Sequence, residues 1–273
     1  MARPHIEYIQ TQSLPWRPDP RFGLGGGAEV KVLSEDVEDG AASLLVRYPA
    51  GWTFPEGRRG ADEEFLVLDG TLEIGETSFG HLCYAHWPAG YRAGPRRAPN
   101  GAIALTFFSG DPRKPAPQRY VANRLVEHLD AYRVPVTGNF HPEFPPGAGR
   151  KSLFTDPETK ETSWILCTMP IRWAERAELH DHVEEMYLIS GESHGDRGVM
   201  RPGAYFWRPP QVAHGPYGTL TGNLYFFRSK GGPLITNYVE PETPFHWWPE
   251  YKPALPEAMR AVAQEIPPLP RAW

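Results

Sequence analysis

The chain contains little cysteine and no long apolar run, and both absences narrow the class of protein it can be. Its 273 residues include only two cysteines, Cys83 and Cys167, which lie far apart among apolar or β-forming neighbours. This excludes a disulfide framework and predicts two buried free thiols in a reducing compartment. No stretch of about eighteen apolar residues is present to span a bilayer, and MARPHIEYIQ lacks the apolar centre of a signal peptide. We therefore expect a cytoplasmic protein with no membrane partner.

A strong charge of one sign is also missing. The formal net charge is −5, and no block of lysine and arginine occurs. Nucleic acid and anionic membranes are therefore excluded as expected partners, and a small-molecule substrate is expected instead.

Amphipathic helical periodicity is almost absent, whereas turn-forming residues are frequent. Proline occurs 31 times and glycine 27 times, and the best helical candidate is a short segment near Glu257–Glu265. The remaining segments are short and rich in Val, Leu, Tyr, Phe and Thr. This pattern predicts an all-β sandwich or barrel with one short C-terminal helix.

An internal repeat appears at an offset of 121 residues. Tyr48–Gly70 aligns without a gap to Met169–Gly191, and a second match follows at the same offset around Pro88 and Pro209. Two matches at one offset indicate a duplication. Identical residues in the first match include Pro49 and Pro170, Trp52 and Trp173, Glu63 and Glu184, and Gly70 and Gly191.

The repeat predicts two barrels with flanking segments. The expected divisions are an N-terminal extension over residues 1–27, barrel 1 over 28–120, a linker over 121–150, barrel 2 over 151–235 and a C-terminal tail over 236–273. Trp247 and Trp248 in the tail suggest packing against a barrel or a partner subunit, and we expect a homodimer.

The segment Glu178–Glu185 is the richest cluster of metal-binding side chains. Glu178, His180, His182 and Glu184 alternate, so a straight strand would aim all four to one face. Imidazole and carboxylate ligands with open positions suit Fe(II), Mn, Ni or Zn. A further ligand must come from a distant strand, and His214 is the natural candidate.

The same region resembles the two sequence motifs of the cupin superfamily, with the short ChrR-type cupins as the most similar members. The first motif, G(X)5HXH(X)3-4E(X)6G, matches at Glu184 and Gly191; the second, G(X)5PXG(X)2H(X)3N, matches at Gly203, Pro209 and His214. The usual Gly and Asn of the second motif are not kept. The resemblance implies two tandem cupin barrels, of the double-stranded β-helix or jelly-roll type.

The resemblance assigns His180, Glu184 and His214 as metal ligands and leaves one position open. Counting back from Glu184 without a gap places Glu178 where the family has its first histidine. A two-residue deletion would instead keep His180 and His182 as the HxH pair. The gap-free repeat favours Glu178, and both Glu178 and His182 are candidates for the remaining ligand and for a catalytic proton carrier.

Barrel 1 keeps the shape of this site without its ligands. Glu63 remains, but Gly57, Arg59 and Ala93 stand at the other ligand positions. One carboxylate cannot hold a transition metal against water. We therefore predict one divalent transition metal per chain, held in barrel 2, with Fe(II) favoured and Zn, Mn or Ni as alternatives.

The substrate pocket is predicted among aromatic residues of barrel 2, because pockets of this kind are apolar with a few polar anchors. The candidates are Trp173, Tyr187, Tyr205, Trp207 and Tyr225. The basic residues of barrel 1 are expected to form a solvated rim, with binding of a carboxylate substrate as the alternative. They are Arg58, Arg59, Arg92, Arg96 and Arg97.

Three functions follow from the resemblance. The first is a non-haem Fe(II) dioxygenase that acts on a small aromatic or diketone-like compound. The second is a metal-dependent isomerase or lyase in which Glu178 or His182 shuttles a proton; two carboxylates beside the metal would favour it. The third is a non-catalytic ligand sensor of the ChrR type. No DNA- or sigma-binding segment is visible in the sequence, which favours an enzyme.

Overall fold

A computed structural model describes residues 3–138, 141, 143–266 and 273, and nearly all of its regular structure is β. The chain divides into two compact units. Unit 1 comprises Met1–Arg3 and Pro15–Arg133, and unit 2 comprises Pro4–Leu14 and Val134–Trp273. A segment near the N-terminus thus belongs to the unit that is formed mainly by the second half of the chain.

Unit 1 consists of twelve strands in three antiparallel sheets of the jelly-roll type. A six-stranded sheet has the order β13-β9-β6-β12-β3-β2, a four-stranded sheet the order β4-β11-β7-β8, and β5 pairs with β10. The strands are β2 (Glu29–Glu35), β3 (Ala42–Tyr48), β4 (Trp52–Phe54), β5 (Gly57–Arg58), β6 (Glu63–Gly70), β7 (Leu72–Ile74), β8 (Thr77–Phe79), β9 (Cys83–Trp87), β10 (Arg92–Ala93), β11 (Arg96–Ala98), β12 (Ala102–Phe108) and β13 (Val126–Asp130).

The interior of unit 1 is filled by apolar side chains. Strands such as β12 (AIALTFF) combine β-branched and aromatic residues, which pack well on a pleated surface. Phe65, Phe79 and Trp87 form a cluster of rings with centroids 5.0–6.2 Å apart, in which Trp87 meets both phenylalanines edge-on. These rings belong to a continuous buried core.

Unit 2 repeats this layout with one strand exchanged and one strand added at the other edge of the large sheet. Its seven-stranded sheet has the order β1-β22-β19-β24-β16-β15-β14, a four-stranded sheet has the order β17-β23-β20-β21, and β18 pairs with β25. The elements are β1 (Ile6–Gln10), β14 (Thr137–Gly138), β15 (Ala148–Thr155), β16 (Thr162–Thr168), β17 (Arg172–Trp173), β18 (Ala177–His180), β19 (Val183–Gly191), β20 (Ser193–Gly195), β21 (Gly198–Met200), β22 (Ala204–Arg208), β23 (Gly218–Thr219), β24 (Asn223–Lys230), β25 (Thr236–Val239) and the short helix α1 (Glu257–Arg260).

Equivalent strands of the two units keep the 121-residue offset. Strand β9 begins at Cys83 and its counterpart β22 begins at Ala204. The matched glycines Gly70 and Gly191 have φ of 69° and 83°, and a Cβ at either would collide with the carbonyl oxygen of the glycine just before the facing strand. Glycine is therefore required at this turn in both units.

The outer edge of the large sheet is covered differently in the two units. In unit 1, β13 pairs with β9 and follows the repeat in the chain. In unit 2, β1 pairs with β22 and comes from the N-terminal segment that the sequence analysis assigned to an extension. This exchange places the side chains of β1 beside the second repeat.

Three smaller expectations concern the helix, the thiols and the membrane. The predicted C-terminal helix is present as α1, one turn long. Cys83 and Cys167 are both free, and each is half-buried rather than fully buried. Among the described residues, no helix is long and apolar enough to cross a bilayer.

Candidate metal centre

The centre is built where two short segments of unit 2 run side by side. Glu178 lies in β18, and its backbone N–H donates to the carbonyl of His214 while the N–H of His214 donates to the carbonyl of Glu178, both at 3.0 Å. This backbone pairing brings together two side chains that lie 36 positions apart in the sequence. His180 joins them, and one ligand atom from each of Glu178, His180 and His214 lies within 4.8 Å of the others.

Glu184 faces the same point from the start of β19. Its Oε1 lies 3.6 Å from Nε2 of His180, and its Oε2 lies 3.6 Å from Nε2 of His214. Nε2 of His214 is also 3.7 Å from Oε1 of Glu178. Two imidazoles and two carboxylates therefore converge on one small volume.

The imidazole tautomers leave both Nε2 atoms available to a metal. Nδ1 of His180 donates to the carbonyl of Ile235 at 3.1 Å, and Nδ1 of His214 donates to the carbonyl of Val212 at 3.0 Å. A carbonyl only accepts, so each Nδ1 carries a hydrogen, and in the neutral form of each imidazole the Nε2 atom has a free lone pair. Both Nε2 atoms are buried without a hydrogen-bond partner.

The donor set fits a divalent transition metal. An unpartnered buried nitrogen is costly, and a metal ion would satisfy both Nε2 atoms at once. Burial lowers the pKa of His180, which keeps its imidazole in the neutral form that ligates metals. The Nδ1 contacts to backbone carbonyls are the orienting partners that metal-binding histidines need.

His182 is not part of this cluster, and its prediction as a ligand and proton carrier is wrong for this structure. Its ring lies against Gly232 instead. The reason is local: β18 ends at His180 and β19 begins at Val183, so Asp181 and His182 form a turn and the alternation is broken. Glu178, the alternative, is the residue that joins the histidines.

A buried arginine stands behind Glu184. Arg208 is 1% exposed, and its Nη1 contacts Oε2 of Glu184. Its Nε donates to Oε2 of Glu7 at 2.7 Å, its Nη2 also contacts Glu7, and its Nη2 contacts the hydroxyl of Tyr217 at 3.0 Å. Burial raises the pKa of Glu184, to about 7, although Arg208 favours its ionised form.

A cavity of about 110 Å³ within unit 2 reaches the centre. Glu178, Glu184 and His214 form its polar end. The rest of its wall is mainly apolar, from Trp164, Leu166, Met186, Met200, Phe206, Tyr225 and Phe227.

Only one of the five predicted pocket aromatics, Tyr225, lines this cavity. Tyr187, Tyr205 and Trp207 are buried elsewhere, and the hydroxyl of Tyr205 donates to Glu185 at 2.7 Å. Glu185 points away from the metal ligands, so Tyr205 lies on the face of the sheet opposite the cavity. Trp173 is 49% exposed and borders a separate surface hollow.

The inward face of β22 carries Phe206 and Arg208, which the sequence analysis missed. The position of Arg208 could have been found from the strand pairing. Arg208 is paired in register with Glu184 across β22 and β19, so both side chains lie on the same face of the sheet. Glu7 had no such signal, because it lies 201 positions from Arg208.

The equivalent point in unit 1 is occupied by arginine. Arg96 binds Glu63 in a two-pronged ion pair, with Nη1–Oε1 at 2.6 Å and Nη2–Oε2 at 2.7 Å, and Nε of Arg59 lies 2.9 Å from Oε2. The predicted solvated rim is therefore wrong for these two arginines, which are 8% and 12% exposed. Burial opposes ionisation of Glu63, but Arg59 and Arg96 outweigh it and lower its pKa to about 2.

The geometry accords with the comparison to known families. A family model described as the ChrR cupin-like domain matches residues 5–110 and matches again at residues 138–232. The chain belongs to this family. Both units are therefore cupin domains, and the first match begins within the segment that contributes β1 to unit 2.

Solved structures show the same two-cupin fold. A candidate dioxygenase from Nostoc punctiforme is similar with a TM-score of 0.77 and 19% identity, covering 87% of this chain and 88% of that one. An oxalate decarboxylase variant from Bacillus subtilis is similar with a TM-score of 0.57 and 13% identity, covering 85% and 79%. No curated protein matches the chain.

Proposed function

We propose that unit 2 is the active domain of a metal-dependent enzyme that acts on a small organic molecule. The observation that carries this proposal is the pair of buried, unpartnered Nε2 atoms of His180 and His214 beside two carboxylates, at the polar end of an apolar cavity. His180, His214, Glu178 and Glu184 would hold one divalent metal. Unit 1 would hold none.

A bound metal would supply a Lewis acid or a redox centre at the end of the cavity. The chain would supply the surroundings. The apolar wall excludes water and accepts a flat or branched carbon skeleton of the size of a small aromatic or diketone.

Arg172 gives the cavity a cation near its wall. Its Nε and Nη2 donate to the carbonyls of Pro146 and Pro145 at 3.0 and 2.7 Å, and among the described residues it forms no ion pair with a carboxylate. Arg176, which also lines the cavity, is paired with Glu143 at 2.8 Å. The unpaired charge of Arg172 favours a substrate that binds as an anion, such as the enolate of a diketone.

The first candidate reaction is oxygen-dependent cleavage of such a substrate by an Fe(II) form of the protein. Two features support it: the apolar, aromatic-rich cavity, and the similarity in fold to the candidate dioxygenase from Nostoc punctiforme. The chain's own part would be to orient the substrate against the ligand cluster.

The second candidate is a metal-dependent lyase or isomerase, and the position of Glu178 favours it. Glu178 is a second carboxylate beside the histidines, with Oε1 3.7 Å from Nε2 of His214, and from this position it could carry a proton to or from a bound substrate. Two carboxylates suit a harder ion, and the structurally similar oxalate decarboxylase of Bacillus subtilis has Mn(II) centres.

Two assays separate the dioxygenase from the lyase or isomerase. The protein is loaded anaerobically with Fe(II), Mn(II), Ni(II) or Zn(II), and oxygen uptake and product formation are then measured on small aromatic acids, diketones and hydroxy ketones. We expect oxygen uptake matched to product with Fe(II), and none in His214→Ala. Turnover without oxygen dependence would overturn the dioxygenase and favour the lyase or isomerase. Tight ligand binding without turnover would indicate a sensor.

A further inference from the structure

The N-terminal strand contributes a charged side chain to the environment of the metal centre. Glu7 lies in β1, is 3% exposed, and binds Arg208 through two contacts, from Nε and from Nη2. Arg208 in turn contacts Glu184 through Nη1 alone. Glu7, Arg208 and Glu184 thus form a buried chain of three charges that ends at a proposed ligand.

Because Glu7 binds Arg208, fewer N–H groups of Arg208 are left to bind the carboxylate oxygens of Glu184. A guanidinium can bind a carboxylate with two parallel N–H groups, but Glu7 already takes Nε and Nη2 of Arg208. The remaining contact is to Oε2 of Glu184, so Oε1, which lies 3.6 Å from Nε2 of His180, receives no hydrogen bond from Arg208.

Unit 1 provides a contrast, although its arginines come from other positions than that of Arg208. Arg96 binds both oxygens of Glu63, and Arg59 adds a third contact. The carboxylate equivalent to Glu184 is then fully occupied by cations.

We propose that Glu7 is a positioning residue that preserves metal binding in unit 2, because it holds and neutralises Arg208 and so leaves Glu184 free to ligate. The inference rests on the proposed metal-binding function. Removal of the Glu7 charge would let Arg208 turn toward Glu184 and would place an uncompensated cation beside the ion.

The test is Mn(II) and Zn(II) affinity of the full chain, measured by the EPR signal of free Mn(II) and by competition with a chromophoric chelator for Zn(II). Glu7→Gln should weaken binding by about 10- to 100-fold, the range typical of groups that support metal ligands. Glu7→Gln with Arg208→Met should bind nearly as well as the unmodified chain, because the unbalanced cation is gone.

Glu185→Gln is the matched control. Glu185 is as buried as Glu7 and pairs with Arg228 at 2.7 Å. It lies in β19 beside Glu184, on the opposite face of that strand. Its substitution should lower the melting temperature but leave metal affinity unchanged, which separates a structural loss from an effect on the centre.

The outcomes are distinct. Three results would overturn the role of Glu7 while leaving the metal site in place. They are unchanged metal affinity in Glu7→Gln, an equal loss of metal affinity in Glu185→Gln, and no recovery of metal affinity in the double variant. An unmodified chain that binds neither metal would overturn the metal site itself, and the role of Glu7 with it.

Discussion

Unit 1 and unit 2 place a buried glutamate at the same point of the same fold and surround it with opposite chemistry. Glu184 is met by His180 and His214, each with an unpartnered nitrogen. Glu63 is met by Arg59, at the position of His180, and by Arg96, at the position of Tyr217. In unit 1 arginine binds both oxygens of the carboxylate, whereas in unit 2 Arg208 contacts only Oε2 of Glu184, and Oε1 lies 3.6 Å from Nε2 of His180.

The difference shows that one backbone arrangement can carry either a set of candidate metal ligands or a cluster of arginine and glutamate side chains. Ala93 pairs with Gly57 in unit 1 as His214 pairs with Glu178 in unit 2, so the backbone is retained where the ligands are gone. A glutamate left alone in that interior would carry an uncompensated buried charge. The two arginines remove that cost.

The largest expected effect is in unit 2. His214→Ala should abolish bound metal while leaving the fold intact, because the residue supplies one of the two free imidazole nitrogens. Elemental analysis with circular dichroism checks this. His182→Ala is the matched control and should keep its metal; full occupancy in the His214 variant would show that the ligand set is wrong.

The next effect is on the stability of unit 1. Glu63→Gln leaves Arg59 and Arg96 buried without a carboxylate and should cost about 3–5 kcal/mol of unfolding free energy, with metal content unchanged. Chemical denaturation measures the loss. Glu56→Gln, which removes an exposed pair with Arg92, should cost about 0–1 kcal/mol; equal losses from both would contradict the buried-pair explanation.

A smaller effect is expected in acid. The pKa of Glu63 is lowered from 4.5 to about 2, so its contribution to stability, about 3 kcal/mol, is present above pH 4.5 and is lost as the pH falls toward 2. Denaturation curves of the unmodified chain and Glu63→Gln should therefore converge over this window. Curves that stay equally far apart would contradict the lowered pKa.

The sequence alone predicts the fold and the convergence of three side chains. Short β-rich segments, the 121-residue repeat and the two motifs predict the cupin pair, and His180, Glu184 and His214 converge in the structure as the motifs require. The gap-free repeat also favoured Glu178, which joins the cluster.

The sequence does not predict which face of strand β22 lines the cavity. All five residues of β22 are buried, so polarity does not distinguish its two faces, and Tyr205 and Trp207 were placed on the wrong one. The turn at Asp181 and His182 removed His182 from the strand pattern. Glu7 depends on pairing between strands about 200 residues apart, which no local pattern encodes. The predicted homodimer stays a prediction.

We expect unit 2 of this chain to bind a metal and unit 1 to hold arginine at the equivalent point. The most direct test is the metal content of the full chain, purified without a metal-binding tag and measured by inductively coupled plasma mass spectrometry. The structure predicts close to one divalent transition metal per chain. A value near two would contradict the loss in unit 1, and a value near zero after loading with all four metals would contradict the centre in unit 2.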